Sequence, residues 1–434
     1  MRERLVAHSM IRGTVKPPGD KSISHRALIF NGITDGKAII ENVSIGSDVN
    51  STIRCIRKLG VKVEKSFDSN GELSISIRGS GSKILNEPTN ILNAGNSGTT
   101  MRLLTGLMSS QSFFSVLTGD KSLRSRPMGR IIEPLNRMGA NIIARDRNSR
   151  PPLVIIGGTL SGIDHFSKVA SAQVKSAILI AGLFANGKTI VREPFQSRDH
   201  TERLLRAMGA VINSNQAIVS IEQSEISAVD IRVPGDVSAA AFWIVLAICH
   251  SNAEIKVNGV GINPTRTGIL DTLKNMGANI IIENIREESG EPVADIIAKS
   301  SSLEGVTVEG AMIPRIIDEI PILALAACFA NGETIIKDAK ELRVKETDRI
   351  NTLVSELTGL GAEIQELNDG LIINGKGHLN GSTCRSHGDH RLAMTLGIAG
   401  LLTEEETIVE GAEAAQVSYP HFWNDLRNLI KTHE

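Results

Sequence analysis

The segment 17–26 concentrates residue types that bind anions. Two prolines and a glycine lead into Lys21, Ser22 and Arg26. Asp20 is expected to cap the helix that follows. The lysine, the hydroxyl and free backbone N–H groups would then lie at a positive helix end, which attracts anions. We predict an anion site here, with an ordinary capped surface helix as the plain alternative.

A nucleotide-binding P-loop is a second interpretation of the same segment. That motif requires G-x-x-x-x-G-K-[ST], whose backbone N–H groups cradle phosphates. Gly13 and Gly19 are one residue too far apart, and Asp20 separates Gly19 from Lys21. The two prolines also remove N–H donors from the cradle. A P-loop phosphotransferase is therefore disfavoured.

Further segments combine charged side chains with helix-start signals. They are 93–102, 124–130, 171–176, 317–321, 342–350 and 388–394. Each one alone is explained as a tight loop, a solvated charged loop or a capped helix. If the helix starts of two halves faced one cleft, that cleft would be strongly cationic, and its ligand would be a small molecule with several anionic groups.

Two of these segments offer groups for proton transfer. Asp318 and Glu319 lie between apolar residues at a helix start, so one can cap the helix and the other can serve as a general base. A helix beginning within 342–350 would place Lys345 and Arg349 one turn apart on one face, with Glu346 beside a cation.

The segment 171–176 opens an apolar helix with polar residues. Ser171 is expected to act as the N-cap. Capping does not account for Gln173 or Lys175, which need another explanation.

A repeat positions these segments. The phrase Leu-x-x-(Leu/Met)-Gly-(Ala/Val)-x-(Ile/Val), once with Ile first, occurs at 56–63, 135–142, 205–212, 273–280 and 357–364. It predicts a helix that ends in a left-handed glycine and is followed by a strand. Small-residue apolar helices are expected near 171–184, 238–250, 318–329 and 389–402, buried on nearly all sides. With a degenerate sixth copy at 400–434, we predict six α/β units in two halves, crossing near 233–236.

Composition sets limits on the class of protein. The chain has 434 residues, 41% of them hydrophobic and 22% charged, with a net charge of −1. Two domains are expected from the length, and the charge gives no overall attraction to nucleic acid. The four cysteines are scattered without C-x-x-C spacing, which favours reduced thiols over a zinc site. No signal peptide or membrane span is expected, and the predicted location is the cytoplasm.

Together these segments resemble the EPSP synthase family (5-enolpyruvylshikimate-3-phosphate synthases). The matching stretches are 19–26, 95–102, 126–128, 171–176, 343–349 and 389–391, in family order over nearly the whole chain. The resemblance implies an α/β enolpyruvyl transferase fold of two domains, each built from three βαβαββ units. Residues 1–18 plus 235–434 would form one domain and residues 19–234 the other, with the active site in the cleft between them.

The resemblance also implies a reaction. The enolpyruvyl group of phosphoenolpyruvate would be transferred to the 5-hydroxyl of shikimate 3-phosphate by addition and elimination through a tetrahedral ketal. This step belongs to the shikimate pathway, which leads to chorismate and the aromatic amino acids. No metal, organic cofactor, nucleic acid or membrane is implied, and we expect a monomer.

Site residues are carried over by position. Asp318 would be the base toward the 5-hydroxyl, while Glu346 and Lys21 would manage the proton at the methylene carbon. The expected shikimate 3-phosphate contacts are Lys21, Ser22, Arg26, Ser171, Ala172, Gln173, Arg198, Asp318 and Lys345. The expected phosphoenolpyruvate contacts are Lys21, Gly98, Arg126, Gln173, Glu346, Arg349 and Arg391. Arg198 resembles a residue found in one branch of the family.

Two details concern this particular sequence. Many family members carry a lysine just before a C-terminal aromatic-proline step, which reads Gln-Val-Ser-Tyr-Pro at 416–420 here. Gly98 occupies the place where bulk affects tolerance of glyphosate in the family, and glycine leaves room for the inhibitor, so sensitivity is expected.

Two other hypotheses remain open. The sister enolpyruvyl transferase acting on UDP-N-acetylglucosamine typically bears a reactive cysteine on a mobile loop, and 124–130 contains none. A non-catalytic repeat scaffold would leave Asp318 and Glu346 as scattered surface charges, which the order of the motifs disfavours.

Overall fold

The structure is a computed structural model that describes residues 1–69, 71–80 and 85–431. The end of the predicted sixth unit, 432–434, lies outside the described residues. The helices are α1 (Lys21–Gly32), α2 (Ser47–Lys58), α3 (Gly98–Ser109), α4 (Gly129–Arg137), α5 (Arg145–Asn148), α6 (Ala172–Gly182), α7 (His200–Ala207), α8 (Val237–Cys249), α9 (Gly268–Asn275), α10 (Ile313–Ile316), α11 (Ile320–Cys328), α12 (Arg349–Gly359), α13 (His390–Ala399) and α14 (Phe422–Lys431).

Short strands alternate with these helices along the chain. They are β1 (Arg2–Leu5), β2 (Ile11–Val15), β3 (Lys37–Glu41), β4 (Lys62–Phe67), β5 (Leu73–Arg78), β6 (Leu92–Asn93), β7 (Phe114–Thr118), β8 (Asn141–Ala144), β9 (Arg150–Ile156), β10 (Asp164–Phe166), β11 (Thr189–Arg192), β12 (Ile212–Asn215), β13 (Ile218–Ile221), β14 (Ile231–Arg232), β15 (Ala253–Gly261), β16 (Asn279–Glu288), β17 (Glu291–Lys299), β18 (Leu303–Glu304), β19 (Thr307–Val308), β20 (Ala330–Ile336), β21 (Glu363–Leu367), β22 (Gly370–Gly375), β23 (Thr383–Arg385) and β24 (Thr407–Glu410).

The chain divides into two compact units. Unit 1 comprises Met1–Pro18, Pro234–Glu287 and Pro292–Glu434, and unit 2 comprises Gly19–Val233 and Glu288–Glu291. Each unit has a hydrophobic core of its own. A chain of this length is expected to divide its core in this way, because single cores stop growing beyond roughly 250–300 residues.

Unit 2 contains three four-stranded sheets with one pairing pattern. Their strand orders are β14-β3-β5-β4, β6-β7-β9-β8 and β10-β11-β13-β12. In each sheet the first pair is parallel and the next two pairs are antiparallel. The second and third sheets follow the chain order βαβαββ. In the first sheet, β14 from the end of the unit takes the place of the opening strand.

Unit 1 also contains three sheets among its described residues. Two of them, β16-β17-β15-β2 and β18-β20-β22-β21, repeat the pattern, and β19 also pairs with β20. The third departs from the predicted βαβαββ unit, because it has only three strands, in the order β1-β24-β23. Here β1, from the opposite end of the chain, runs antiparallel to β24 and covers the edge that a hairpin covers elsewhere.

The repeated phrase has the predicted local structure at all five positions. In each copy a helix ends and a glycine follows with φ between 86° and 108°, after which a strand begins. Only glycine adopts such a conformation without steric cost. The phrase therefore marks the junction between the second helix and the third strand of its repeat.

The small-residue helices α6, α8, α11 and α13 are buried along almost their whole length, as predicted. In unit 1, α8, α11 and α13 pack against one another, and in unit 2, α3 packs against α1 and α6. A Cβ added at Gly106 in α3 would lie only 2.2 Å from the carbonyl oxygen of Ala177 in α6. Glycine and alanine are needed here because larger side chains would hold these helices apart.

The longest described helix, α8, has 13 residues. None of the helices in the described part of the chain is long and apolar enough to cross a membrane.

Candidate active site

The predicted site residues lie mainly at the N-terminal ends of the central helices. Lys21 is the first residue of α1, Gly98 is the first residue of α3, and Ser171 is the N-cap of α6. In unit 1, Asp318 immediately precedes the N-cap residue of α11, and Arg391 is the second residue of α13. Helix N-termini carry partial positive charge and unpaired N–H groups, so these positions favour anionic ligands.

At α1, the predicted cap is confirmed. The side chain of Asp20 accepts a hydrogen bond of 2.9 Å from the backbone N–H of Ile23. Lys21 is partly exposed, and its Nζ lies 3.1 Å from Oδ2 of Asp48 in α2. The next residue, Ser22, is also partly exposed. Its carbonyl oxygen accepts a hydrogen bond from Arg26.

Arg26 is buried with hydrogen bonds to neutral oxygens. Its guanidinium donates to the Ser22 carbonyl at 2.8 Å and to the hydroxyls of Thr201 and Ser176 at 2.7 Å each. Burial, helped by the positive charge of Arg198, lowers the pKa of Arg26 to about 10 against the raising effects of Glu202 and Asp20. A buried guanidinium that is bonded to neutral groups and close to a second arginine favours an anionic ligand.

At α3, two arginines converge on Gly98. A Cβ added at Gly98 would lie 2.7 Å from Nη1 of Arg102 and 3.4 Å from Nη1 of Arg126. Arg102 donates to Oε1 of Gln173 at 2.5 Å, and Gln173 donates in turn to the hydroxyl of Thr99 at 2.8 Å. The start of α3 thus has two guanidinium groups and an amide beside a position that carries no side chain.

The segment 124–130 contributes one of those two arginines. Arg126 is buried and donates to Oδ1 of Asn96 at 2.5 Å, whereas Arg124 and Arg130 are exposed. Of the three arginines in this segment, only Arg126 therefore faces inward.

At α6, the predicted N-cap is confirmed. The hydroxyl of Ser171 accepts a hydrogen bond of 3.5 Å from the N–H of Val174. Ser171, Ala172 and Gln173 are all partly exposed. Arg198 is partly exposed too, in the segment that precedes α7.

In unit 1, three cations surround Asp318. Its Oδ1 lies 3.4 Å from Nζ of Lys345 and 3.6 Å from Nη1 of Arg349, and its Oδ2 lies 4.0 Å from Nη2 of Arg391. Glu346 lies beside the same cluster, with Oε2 at 2.6 Å from Nη2 of Arg349. All five predicted site residues of this unit are thus brought together.

Arg349 joins this cluster to the start of α13. Its Nε lies 2.7 Å from Oδ2 of Asp389, the N-cap of that helix. Desolvation opposes the charge on Arg349, but Asp389, Glu346 and Asp318 together raise its pKa above the ordinary value. Desolvation likewise opposes the charge on Asp389, yet Arg349 holds the pKa of that carboxyl below its ordinary value. The pair is therefore ionised at neutral pH.

Two expectations about helix starts in unit 1 are wrong. Lys345 and Arg349 do not share a helix face, because α12 begins only at Arg349, with Asp348 accepting from the N–H of Asn351 as its cap. Glu319 occupies the N-cap position of α11 but makes no capping bond, and its buried carboxylate accepts from the hydroxyl of Ser238. Lys345 and Arg349 meet at Asp318 through the loop, not along a helix.

The cysteines are free and unsuited to nucleophilic chemistry. Burial raises the pKa of Cys55 to about 11, and the pKa values of Cys328 and Cys384 to about 12. The pKa of Cys249 is also raised by burial. Reactive cysteines need a lowered pKa, so none of these described thiols fits the role of an active-site thiolate.

The family model of EPSP synthase (3-phosphoshikimate 1-carboxyvinyltransferase) matches residues 6–426. The chain belongs to the EPSP synthase family. A 3-phosphoshikimate 1-carboxyvinyltransferase from Roseiflexus castenholzii is 52% identical over 434 residues, covering 99% of this chain and 100% of that protein. Membership of this family also identifies the chain as a transferase, which sets aside the scaffold and P-loop hypotheses.

Solved structures of the family share the fold. An EPSP synthase structure from Acinetobacter baumannii has 41% sequence identity and a TM-score of 0.86, covering 99% of this chain and 98% of that one. The enolpyruvyl transferase NikO from Streptomyces tendae, at 18% identity and a TM-score of 0.79 over 98% and 96% of the two chains, shares the fold alone. The predicted enolpyruvyl transferase fold is confirmed.

Several neighbours of the predicted residues were missed from sequence. Arg102 was part of a matching stretch, but nothing in its position alone showed that it faces Gly98 and Gln173. Asp48 and Asp389 pair with Lys21 and Arg349 across long sequence separations. Local sequence patterns do not predict ion pairs between residues that are far apart in the chain.

The described residues include no group of three or more His, Cys, Asp or Glu side chains arranged to hold a metal ion. Just before the C-terminal aromatic-proline step, where the resemblance led us to look for a lysine, Gln416 is exposed and Ser418 is partly exposed. In that region the buried Tyr419 donates a hydrogen bond of 2.7 Å to Asp425.

Proposed function

We propose that this protein transfers the enolpyruvyl group of phosphoenolpyruvate to the 5-hydroxyl of shikimate 3-phosphate, releasing phosphate. The observation that carries the proposal is the position of Asp318, a carboxylate within 4.0 Å of Lys345, Arg349 and Arg391. Family membership supplies the reaction. The product would be 5-enolpyruvylshikimate 3-phosphate, an intermediate of the shikimate pathway toward chorismate and the aromatic amino acids.

The shikimate 3-phosphate contacts are proposed mainly in unit 2. The buried charge of Arg26, bonded to neutral oxygens, suits the phosphate group of this substrate. Hydroxyl, amide and guanidinium groups at two helix starts suit the remaining oxygens. The proposed contacts in both units are Lys21, Ser22, Arg26, Ser171, Ala172, Gln173, Arg198, Asp318 and Lys345.

Phosphoenolpyruvate carries a phosphate and a carboxylate, so it needs several cations. At the start of α3, Arg126 lies close to the bare position Gly98, and an anion there would meet the helix N-terminus as well. Arg349 and Arg391 are the corresponding cations of unit 1. The proposed contacts are Lys21, Gly98, Arg126, Gln173, Glu346, Arg349 and Arg391.

The reaction requires a base, an acid and stabilisation of phosphate. Asp318 takes the proton of the 5-hydroxyl group. The oxygen of that hydroxyl bonds to C2 of phosphoenolpyruvate, while C3 is protonated. The resulting tetrahedral ketal then loses phosphate and a proton from C3, which restores the double bond. Glu346 and Lys21 are proposed to carry the proton at C3, and the arginines stabilise the leaving phosphate.

The test is phosphate release by the purified protein. Release is expected only when phosphoenolpyruvate and shikimate 3-phosphate are both present, with each omission as a control. Mass spectrometry should find the enolpyruvyl adduct of shikimate 3-phosphate in the same reaction. Phosphate release with UDP-N-acetylglucosamine in place of shikimate 3-phosphate would overturn the proposal.

We also propose that the protein acts as a monomer in the cytoplasm. Four free cysteines, with no disulfide among the described residues, support a reducing compartment. Light scattering coupled to size-exclusion chromatography should give the mass of one chain, 46.6 kDa.

A further inference from the structure

A buried ion cluster lies beneath the proposed shikimate 3-phosphate residues of unit 2. Lys175 in α6 is 1% exposed, and its Nζ lies 3.1 Å from Oε2 of Glu193 and 2.7 Å from Oε1 of Glu202. It also donates to the carbonyl of Ser197 at 3.2 Å. Burying three charges costs free energy that only close pairing and additional hydrogen bonds can offset. Lys175 has no part in the proposed chemistry, so its role lies elsewhere.

Glu193 links two separate segments of the chain. It follows β11 directly, and its Oε1 accepts a hydrogen bond of 2.8 Å from the backbone N–H of Ser171. Its Oε2 accepts one of 2.7 Å from the hydroxyl of Ser197 and a longer one, at 3.4 Å, from the Ser197 N–H. One carboxylate therefore ties the start of α6 to the segment before α7.

Both tied segments carry proposed substrate contacts. Ser171 is itself one of them, and Ser197 is followed directly by Arg198. The same two helices also hold Arg26, through Ser176 in α6 and Thr201 in α7, and those two hydroxyls lie 2.7 Å apart. The relative placement of α6 and α7 thus decides where three substrate contacts lie.

We propose that Glu193 is a positioning residue that fixes Ser171 and Arg198 for shikimate 3-phosphate, and that Lys175 holds its carboxylate in place. This inference rests on the proposed function. Glu202 has a different part. Its Oε1 pairs with Lys175 and so links α7 to α6, while its Oε2 has no hydrogen-bond partner among the described residues. The bonds to Ser171 and Ser197, next to the proposed contacts, are made by Glu193.

The test is the variant Glu193→Gln, compared with wild type in steady-state assays. The amide keeps one acceptor oxygen but presents N–H groups where the carboxylate accepted, so one of the two ties is lost. The KM for shikimate 3-phosphate should rise about tenfold, roughly the effect of one lost charge-assisted hydrogen bond. The KM for phosphoenolpyruvate and kcat should stay within about threefold. Calorimetry should show the same loss in direct binding of shikimate 3-phosphate.

Two matched Glu→Gln variants and one uncharged variant separate positioning from general stability. Glu202→Gln removes a charge from the same cluster, and should lower Tm while raising the KM for shikimate 3-phosphate by less than about threefold. Glu222→Gln alters an exposed carboxylate paired with Lys188 at 3.7 Å, and should behave like wild type. Ser197→Ala deletes one tie without changing any charge, and should raise the same KM by roughly threefold even if Glu193→Gln folds poorly.

Three results would overturn the inference. They are unchanged kinetics in Glu193→Gln and Ser197→Ala, equal rises in both KM values, and a rise in Glu202→Gln as large as that in Glu193→Gln. Wild-type protein that fails to convert the two substrates would instead overturn the proposed function. The two failures are therefore distinguishable.

Discussion

Arg349 and Asp389 form a two-point ion pair, with Nε–Oδ2 at 2.7 Å and Nη2–Oδ1 at 3.2 Å. Both residues are buried. Oδ1 of Asp389 also accepts a hydrogen bond of 2.9 Å from the N–H of Arg391. One carboxylate therefore orients two proposed phosphoenolpyruvate contacts at once.

The variant Asp389→Asn should lose both stability and activity. Removing one partner of a buried ion pair leaves the other charge uncompensated, which costs about 3–5 kcal/mol. The free energy of unfolding at pH 7 should fall by that amount in urea titrations. The KM for phosphoenolpyruvate should rise about tenfold or more, because Arg349 and Arg391 lose their common anchor.

The same pair predicts a pH dependence. Arg349 holds the pKa of Asp389 below its ordinary value of 3.8. The unfolded state therefore binds the proton more readily, so the stabilisation is present above about pH 4 and is lost as the pH falls through the lower folded value. The stability gap between wild type and Asp389→Asn should shrink below about pH 4. A difference in the free energy of unfolding that stays constant as the pH falls well below 4 would contradict this explanation.

Neighbouring carboxylates should behave differently. Asp318→Asn removes the proposed base, so kcat should fall about 10²–10⁴-fold with little change in Tm. Glu319→Gln alters the adjacent, fully buried carboxylate, which lies 3.6 Å from Arg266. That variant should lower Tm and reduce kcat by less than about tenfold. Thermal unfolding and steady-state kinetics of both variants measure these effects. A larger loss of kcat in Glu319→Gln than in Asp318→Asn would exclude Asp318 as the base.

Lys21→Ala should abolish turnover in a folded protein. Lys21 is partly exposed, and the α1 cap formed by Asp20 does not depend on its side chain. Loss of a cation that is proposed to contact both substrates and to carry a proton should lower kcat/KM by at least about 10³-fold. Lys188→Ala, at an exposed lysine of the same unit, is the control. Near-normal rates in Lys21→Ala would remove Lys21 from the mechanism.

Gly98→Ala tests the bare position at the start of α3. The added methyl group would meet Nη1 of Arg102 at 2.7 Å, so the guanidinium must shift. The KM for phosphoenolpyruvate should rise about tenfold, and inhibition by glyphosate should weaken by more than that, while the wild type should be sensitive. Gly129→Ala is the matched control, because a Cβ at the first residue of α4 would meet nothing within 4 Å. Equal inhibition of wild type and Gly98→Ala by glyphosate would contradict the proposal that phosphoenolpyruvate contacts Gly98.

Sequence patterns predicted the parts of this molecule that local physics determines. The five glycines with positive φ, the small-residue helices and the caps at Asp20 and Ser171 depend on residues a few positions apart. Such features leave a readable spacing in the chain.

The predictions that failed depended on distant residues. The helix α12 begins at Arg349 because the side chain of Asp348 caps it by accepting a hydrogen bond from the N–H of Asn351. Glu319 does not cap α11, because its carboxylate accepts a hydrogen bond from Ser238, which lies in another repeat. The bond from the Ser171 N–H to Glu193 joins residues 22 positions apart, so no local spacing in the sequence predicts it.

The pairing of β1 with β24 has a consequence for folding during synthesis. Arg2 is opposite Glu410 in that sheet, so the first strand to be synthesised pairs with β24, the last strand of the described chain. Gly19–Val233, by contrast, is one continuous segment that contains all three sheets of unit 2. On the ribosome, unit 2 can therefore collapse around its core while unit 1 is still missing most of its chain. Unit 2 can thus fold first, although the chain begins with residues of unit 1.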